Sequence, residues 1–99
     1  ANNLAWILAS HPDDGLRSPE EALEITTHLC QQTRNKSPLY LDTHSIALAN
    51  TGKFEEAIVA ANKAIALIPA ENTPAIEGIR RRLALYGTKK PYREPGWAK

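Results

Sequence analysis

The chain has 99 residues, of which 42% are hydrophobic and 23% charged, so it fits one globular domain and is not disordered throughout. Twelve Lys and Arg stand against eleven Asp and Glu, a balance that argues against a nucleic-acid partner. A single cysteine, Cys30, excludes an internal disulfide, and no apolar run approaches the ~20 residues that a membrane span needs.

Apolar residues at helical spacing predict five helices and no sheet. In the first helix Leu4 and Leu8 lie four residues apart, and Ile7 follows Leu4 by three. Three of the later helices begin at Ser-Pro or Thr-Pro pairs, where the hydroxyl residue is expected to cap the helix and the proline to take its first position. For the helix that begins after Ser18, Glu21 is expected to complete a capping box. The predicted helices cover residues 2–10, 19–33, 38–50, 54–67 and 74–86.

Residues 88–99 form a tail that is predicted to be extended, because it contains two prolines and a glycine. The tail also carries Tyr92 and Trp97. Such aromatic residues either dock an extended segment onto the helices or belong to a disordered terminus, and the sequence leaves both alternatives open.

An internal repeat links the first helices to the later ones. Glu20-Glu21-Ala22-Leu23 recurs 35 residues later as Glu55-Glu56-Ala57-Ile58. The helix 3–9 aligns with 43–49, 40 residues later, and a longer loop around 12–17 absorbs the difference. The repeating unit is therefore a pair of helices with a period of about 34 residues, as in helical repeat proteins.

This unit resembles the tetratricopeptide repeat. Large and small residues of its second copy fall where that family has them: Leu41, Ser45, Leu48, Gly52, Phe54, Ala57, Ala61, Ala64 and Pro69. Small residues are needed because crossing helices 8–10 Å apart leave no room for large side chains. The first copy matches less well, since Thr26 and Leu29 replace two small residues. An unrelated five-helix bundle is the alternative.

The resemblance implies an all-α fold in which antiparallel helix pairs stack into a right-handed α-solenoid. The implied helical domain is 1–87, made of a first pair (1–36), a second pair (37–69) and a capping helix (73–87), followed by the tail. The chain begins directly in a helical pattern and has no methionine. We therefore expect an excised end of a longer array, whose exposed first helix, with Leu4, Leu8 and Trp6, favours self-association.

In the resembling family, a partner usually lies in a concave groove lined by the first helix of each pair. The positions that face it are filled here by Asn2, Asn3, Trp6, Asp42, Thr43, Ile46 and Asn50. Family members that bind chaperones hold a peptide carboxylate there with Lys and Asn. Asp42 would repel a carboxylate, so we do not expect that activity.

Catalytic and metal sites are not predicted, and neither is a cofactor. His11 precedes Asp13 and Asp14 in what reads as a turn, and adjacency in sequence does not pair Ser45 with His44. Cys30 falls on an apolar face and reads as buried. The run Arg80-Arg81-Arg82 spans nearly a helical turn, so its side chains point in different directions. It suits a solvated helix or, alternatively, contact with an acidic peptide.

The sequence therefore predicts a scaffold that binds a protein or peptide partner and does no chemistry of its own. The alternative is an accessory domain at the end of a larger bacterial-type enzyme, such as a membrane-linked glycosyltransferase. The compartment is not fixed by the sequence, and we expect the cytoplasm.

Overall fold

The computed structural model describes residues 2–11, 13, 15 and 17–92. This part of the chain is all-helical and contains no strand, which confirms the predicted fold class. The helices are α1 (Asn2–Ser10), α2 (Pro19–Gln32), α3 (Pro38–Asn50), α4 (Phe54–Leu67) and α5 (Thr73–Gly87). Each predicted boundary agrees with the observed one to within one residue.

Prolines stand in the first turn of α2, α3 and α5, but the caps are not all as predicted. The N-cap residue of α5 is Asn72, because the predicted cap Thr73 is already part of the helix. Before α3, the Ser37 side chain accepts a hydrogen bond from the Tyr40 backbone N–H at 3.3 Å, so this cap is confirmed. Before α2, Ser18 makes no side-chain capping bond, and the predicted capping box is therefore wrong. The Ser18 N–H instead donates to the Leu8 carbonyl at 2.7 Å, which ties the start of α2 to α1.

The turn after α3 depends on Gly52. Its φ of 85° lies in the left-handed region that side chains disfavour, and this explains a glycine at the helix end. The Lys53 N–H donates to the Leu48 carbonyl at 2.9 Å and closes the turn. The predicted stop at Gly52 is confirmed, whereas Gly87 belongs to the last turn of α5 rather than following it.

Packing places α3 at the centre of the molecule. Each helix contacts the next one along the chain, and α1 also contacts α3. Because α3 meets α1, α2 and α4, most of its side chains from Leu41 to Ala49 are buried.

Alanines make the contact between α3 and α4. Ala57, Ala61 and Ala64 have no exposed surface and pack in one core cluster with Leu41 and Leu48. The burial predicted for Ala57 and Ala61 is thus confirmed. Missing side-chain volume lets the two helix backbones approach, and the leucines of α3 fill the remaining space.

Candidate interaction surface

The side chains predicted to face a partner do not share one environment. Thr43 and Ile46 have no exposed surface: Ile46 packs with alanines of α1 and α2, and Thr43 Oγ1 donates to the Leu39 carbonyl at 3.1 Å. Sequence reasoning placed both on an open face, but burial removes them from contact with a partner. Asn3 belongs to α1, and its side chain lies outside the described part.

Four side chains from distant parts of the chain meet beside α3, and we call them the Arg82 cluster: Trp6, Asp42, Arg82 and Tyr92. The Arg82 guanidinium donates twice to Asp42, from Nη2 to Oδ2 at 2.6 Å and from Nε to Oδ1 at 3.3 Å. Arg82 Cζ lies 5.3 Å from the Trp6 ring centroid and 5.2 Å from that of Tyr92. The cation is therefore held by a carboxylate and two aromatic rings.

The two rings of the Arg82 cluster also contact each other. Their centroids are 6.1 Å apart and their planes meet at 66°, the edge-to-face arrangement that aromatic pairs prefer. Tyr92 packs on the core clusters that include α1, α3 and α4 residues. Of the alternatives for the tail, docking applies to Tyr92, whereas Trp97 lies outside the described residues.

Burial and charge act in opposite directions on Asp42. Removal of the carboxyl from water raises its pKa, and the Arg82 guanidinium opposes part of that shift. Only about one tenth of either side chain is exposed, at 11% for Asp42 and 14% for Arg82. Because the two charges are paired, the cluster presents aromatic surface and no excess charge.

Asn50 connects this cluster to the main chain of the tail. Its Nδ2 donates to the Tyr92 carbonyl at 3.1 Å and to the Ile46 carbonyl at 3.0 Å. Its Oδ1 is buried, and no donor within the described part of the chain reaches it. Asn2 Oδ1 on α1 is likewise buried without a described donor. Within the described residues these two buried acceptors therefore lack a donor, which is uncommon in a folded protein.

Two depressions flank Arg82. The larger, of about 420 Å³, lies between the N-terminal part of α3 and α5, and its lining includes Leu39, Asp42 and Ala75. The smaller, of about 270 Å³, is lined by Arg81, Leu85, Tyr92 and others. Leu39 is 58% exposed, so the larger depression has a large apolar side chain at its edge.

The first helix, which the sequence predicts to be exposed, is partly covered in the structure. Leu4 is 52% exposed. Trp6, by contrast, is half-buried and contacts both Tyr92 and Arg82. Self-association through α1 stays a prediction, and the surface left for it is smaller than the sequence suggests because Tyr92 lies on Trp6.

The His, Ser and Cys side chains that were weighed for catalysis or metal binding make contacts within the fold. His44 Nδ1 is hydrogen-bonded to Thr26 Oγ1 at 2.8 Å, whereas Ser45 Oγ donates to the Asp42 carbonyl at 2.6 Å, so they form no Ser–His pair. Cys30 is buried as predicted, and burial raises the pKa of its thiol. Within the described residues there is no cluster of three or more His, Cys, Asp or Glu side chains suited to a metal ion.

Sequence reasoning missed the role of Arg82. Arg80 and Arg81 are exposed and Arg82 is half-buried, so the three side chains do point in different directions. Nothing in the sequence distinguishes Arg82 from its neighbours except the position of Ile79, Leu83 and Tyr86, which mark the apolar side of α5.

Among the helices described, none is both long and apolar enough to cross a membrane.

Comparison with known proteins adds no relative. No family model, curated protein or solved structure matches the chain.

Proposed function

We propose that this chain is a protein-interaction scaffold of the tetratricopeptide type, which binds a partner peptide or domain on the side of α3 that carries the Arg82 cluster. Such a module does no chemistry of its own. The proposal includes the paired, solenoid-like arrangement of the helices, in which α1 and α3 would line a concave face.

One observation carries the proposal: this side of the molecule holds a segment of main chain without regular secondary structure. Asn50 Nδ2 donates to the carbonyl of Tyr92, which belongs to that segment. A side-chain amide that binds a main-chain carbonyl accepts many sequences, because every residue has that carbonyl. Aromatic surface beside it supplies the apolar contact on which peptide binding depends.

Site-specific photocrosslinking tests the proposal in cells. A photoreactive phenylalanine replaces Leu39, which is exposed at the edge of the larger depression. The matched control carries the same group in place of Ala66, an exposed residue of α4. We expect discrete adducts of higher mass from position 39 and none of them from position 66.

The same adducts from both positions would show collision without a binding face and contradict the proposal. The absence of adducts from position 39, with the protein expressed and helical, would contradict it as well.

A further inference from the structure

We infer that the site occupied by Tyr92 is a binding site for an extended peptide segment with an aromatic side chain, and that Tyr92 is its intramolecular competitor. We call it the Tyr92 site and define it by Trp6, Asn50 and Arg82. The inference rests on the proposed function and adds the chemistry of the partner and a control of access.

The geometry around Tyr92 specifies an aromatic side chain. The ring meets the Trp6 ring edge-to-face at 6.1 Å and lies 5.2 Å from the Arg82 guanidinium carbon. A cation near an aromatic face attracts the ring quadrupole, and an aliphatic side chain offers none. Since Asp42 already takes two donors of Arg82, an acidic residue would find the charge neutralised and gain little.

Asn50 specifies that the aromatic residue comes on an accessible main chain. The amide donates to the carbonyl of the same residue whose ring lies against Trp6, so main chain and side chain are recognised together. A helical partner would use that carbonyl for its own hydrogen bonds, except at its C-terminal end. The site therefore favours a segment without helix.

Among the described residues, one acceptor beside the Tyr92 site has no donor, and a competing segment could supply one. Asn50 Oδ1 is buried and receives no hydrogen bond from any described residue, although a buried acceptor without a donor is unfavourable. Pro91, next to Tyr92, has no N–H to offer. A partner segment with the same aromatic residue and an N–H within reach could donate a hydrogen bond to Asn50 Oδ1, which would favour it over Tyr92.

The test uses the full chain with Tyr92→Ala and a fluorescent synthetic peptide with the sequence of residues 88–99. Fluorescence anisotropy measures binding, and circular dichroism confirms that the variant is helical. We expect the peptide to bind Tyr92→Ala, and to bind the unaltered chain about tenfold more weakly because its own Tyr92 competes. If Tyr92→Ala does not fold, Tyr92→Leu, which keeps apolar volume without a ring, takes its place.

Two controls locate the contact. A peptide with alanine at the position of Tyr92 should bind about tenfold more weakly, since it lacks the ring. In the Tyr92→Ala chain, Asn50→Ala should weaken binding severalfold, whereas Asn62→Ala, which alters an exposed asparagine of α4, should not.

Four results would overturn the inference. Three concern the peptide: no binding to a folded Tyr92→Ala or Tyr92→Leu chain, equal binding to variant and unaltered chains, or equal binding of the peptide without the ring. The fourth is unchanged affinity after Asn50→Ala, because the contact would then not involve α3. Adducts from position 39 together with any of these results would support the proposed function and reject only the aromatic peptide and its competitor.

Discussion

The two sides of α3 are stabilised in different ways. Toward α4, the contact consists of fully buried alanines and the leucines opposite them. On the side of the Arg82 cluster, it consists of an ion pair, two aromatic rings and an amide. The first contact joins helices close in sequence, whereas the second joins residues from position 6 to position 92.

One helix thus combines a closely packed apolar contact with a contact made of charged, aromatic and amide groups. Alanine packing tolerates little change, because interiors are close-packed and added volume has nowhere to go. Hydrogen-bonding and aromatic groups can exchange one occupant for another of similar chemistry. Three substitutions separate these contributions, from the largest expected effect to the smallest.

Removal of Arg82 should have the largest effect. In Arg82→Ala, the carboxylate of Asp42 stays buried without its cation, and both rings lose the guanidinium between them. We expect a loss of about 3 kcal/mol in the free energy of unfolding, measured by urea denaturation, as for a buried charge that loses its partner. Arg81→Ala, at an exposed position of the same helix, is the control and should change stability by less than about 0.5 kcal/mol.

An equal free energy of unfolding for Arg82→Ala and the unaltered chain would mean that the Arg82 cluster does not stabilise the fold. The polar side of α3 would then be a surface only, and the contrast with the alanine side would become sharper. An intermediate loss for Arg82→Lys would separate charge from the planar, two-donor geometry that lysine lacks.

How far the sequence could predict the molecule follows the same division. The helices follow from local apolar periodicity, and the starts of three of them from a proline after Ser or Thr. The burial of Ala57 and Ala61 follows from their small-residue positions in the repeat. The Arg82 cluster could not be predicted, because its pairing depends on where the tail and α5 come to lie. Asp42 was expected to face a partner, whereas in the structure its carboxylate accepts two hydrogen bonds from Arg82.

The alanine side can be tested by adding volume. Ala57→Leu places extra atoms where α3 and α4 approach each other, and we expect a loss of about 2 kcal/mol in the free energy of unfolding. Ala66→Leu adds the same atoms at an exposed position of α4 and should be nearly neutral. If Ala57→Leu has the same free energy of unfolding as the unaltered chain, the contact between α3 and α4 is not closely packed. The two sides of α3 would then not differ in the way described.

The smallest effect is expected from substitution of His44, a polar residue of α3 that lies outside the Arg82 cluster. Its Nδ1 is hydrogen-bonded to Thr26 of α2, and burial lowers the pKa of the imidazole while Glu56 of α4 opposes part of that shift. In the unfolded chain the imidazole binds a proton near its ordinary pKa of 6.5, whereas in the folded chain it does so only at lower pH. Below that ordinary value the unfolded state therefore binds more protons, and stability falls as the pH falls until the folded imidazole is protonated too.

His44→Gln removes this dependence because glutamine keeps a polar side chain but does not titrate. Urea denaturation at about pH 7.5 and about pH 5.5, on either side of the ordinary histidine pKa, measures the loss of stability for each chain. We expect a smaller loss for His44→Gln than for the unaltered chain, and an unchanged loss for His28→Gln, which alters an exposed histidine of α2. Equal losses for His44→Gln and the unaltered chain would mean that His44 takes its proton as easily in the fold as in water. The α2–α3 contact around Thr26 would then be open to solvent. Close packing on this side of α3 would be limited to the contact with the alanines of α4.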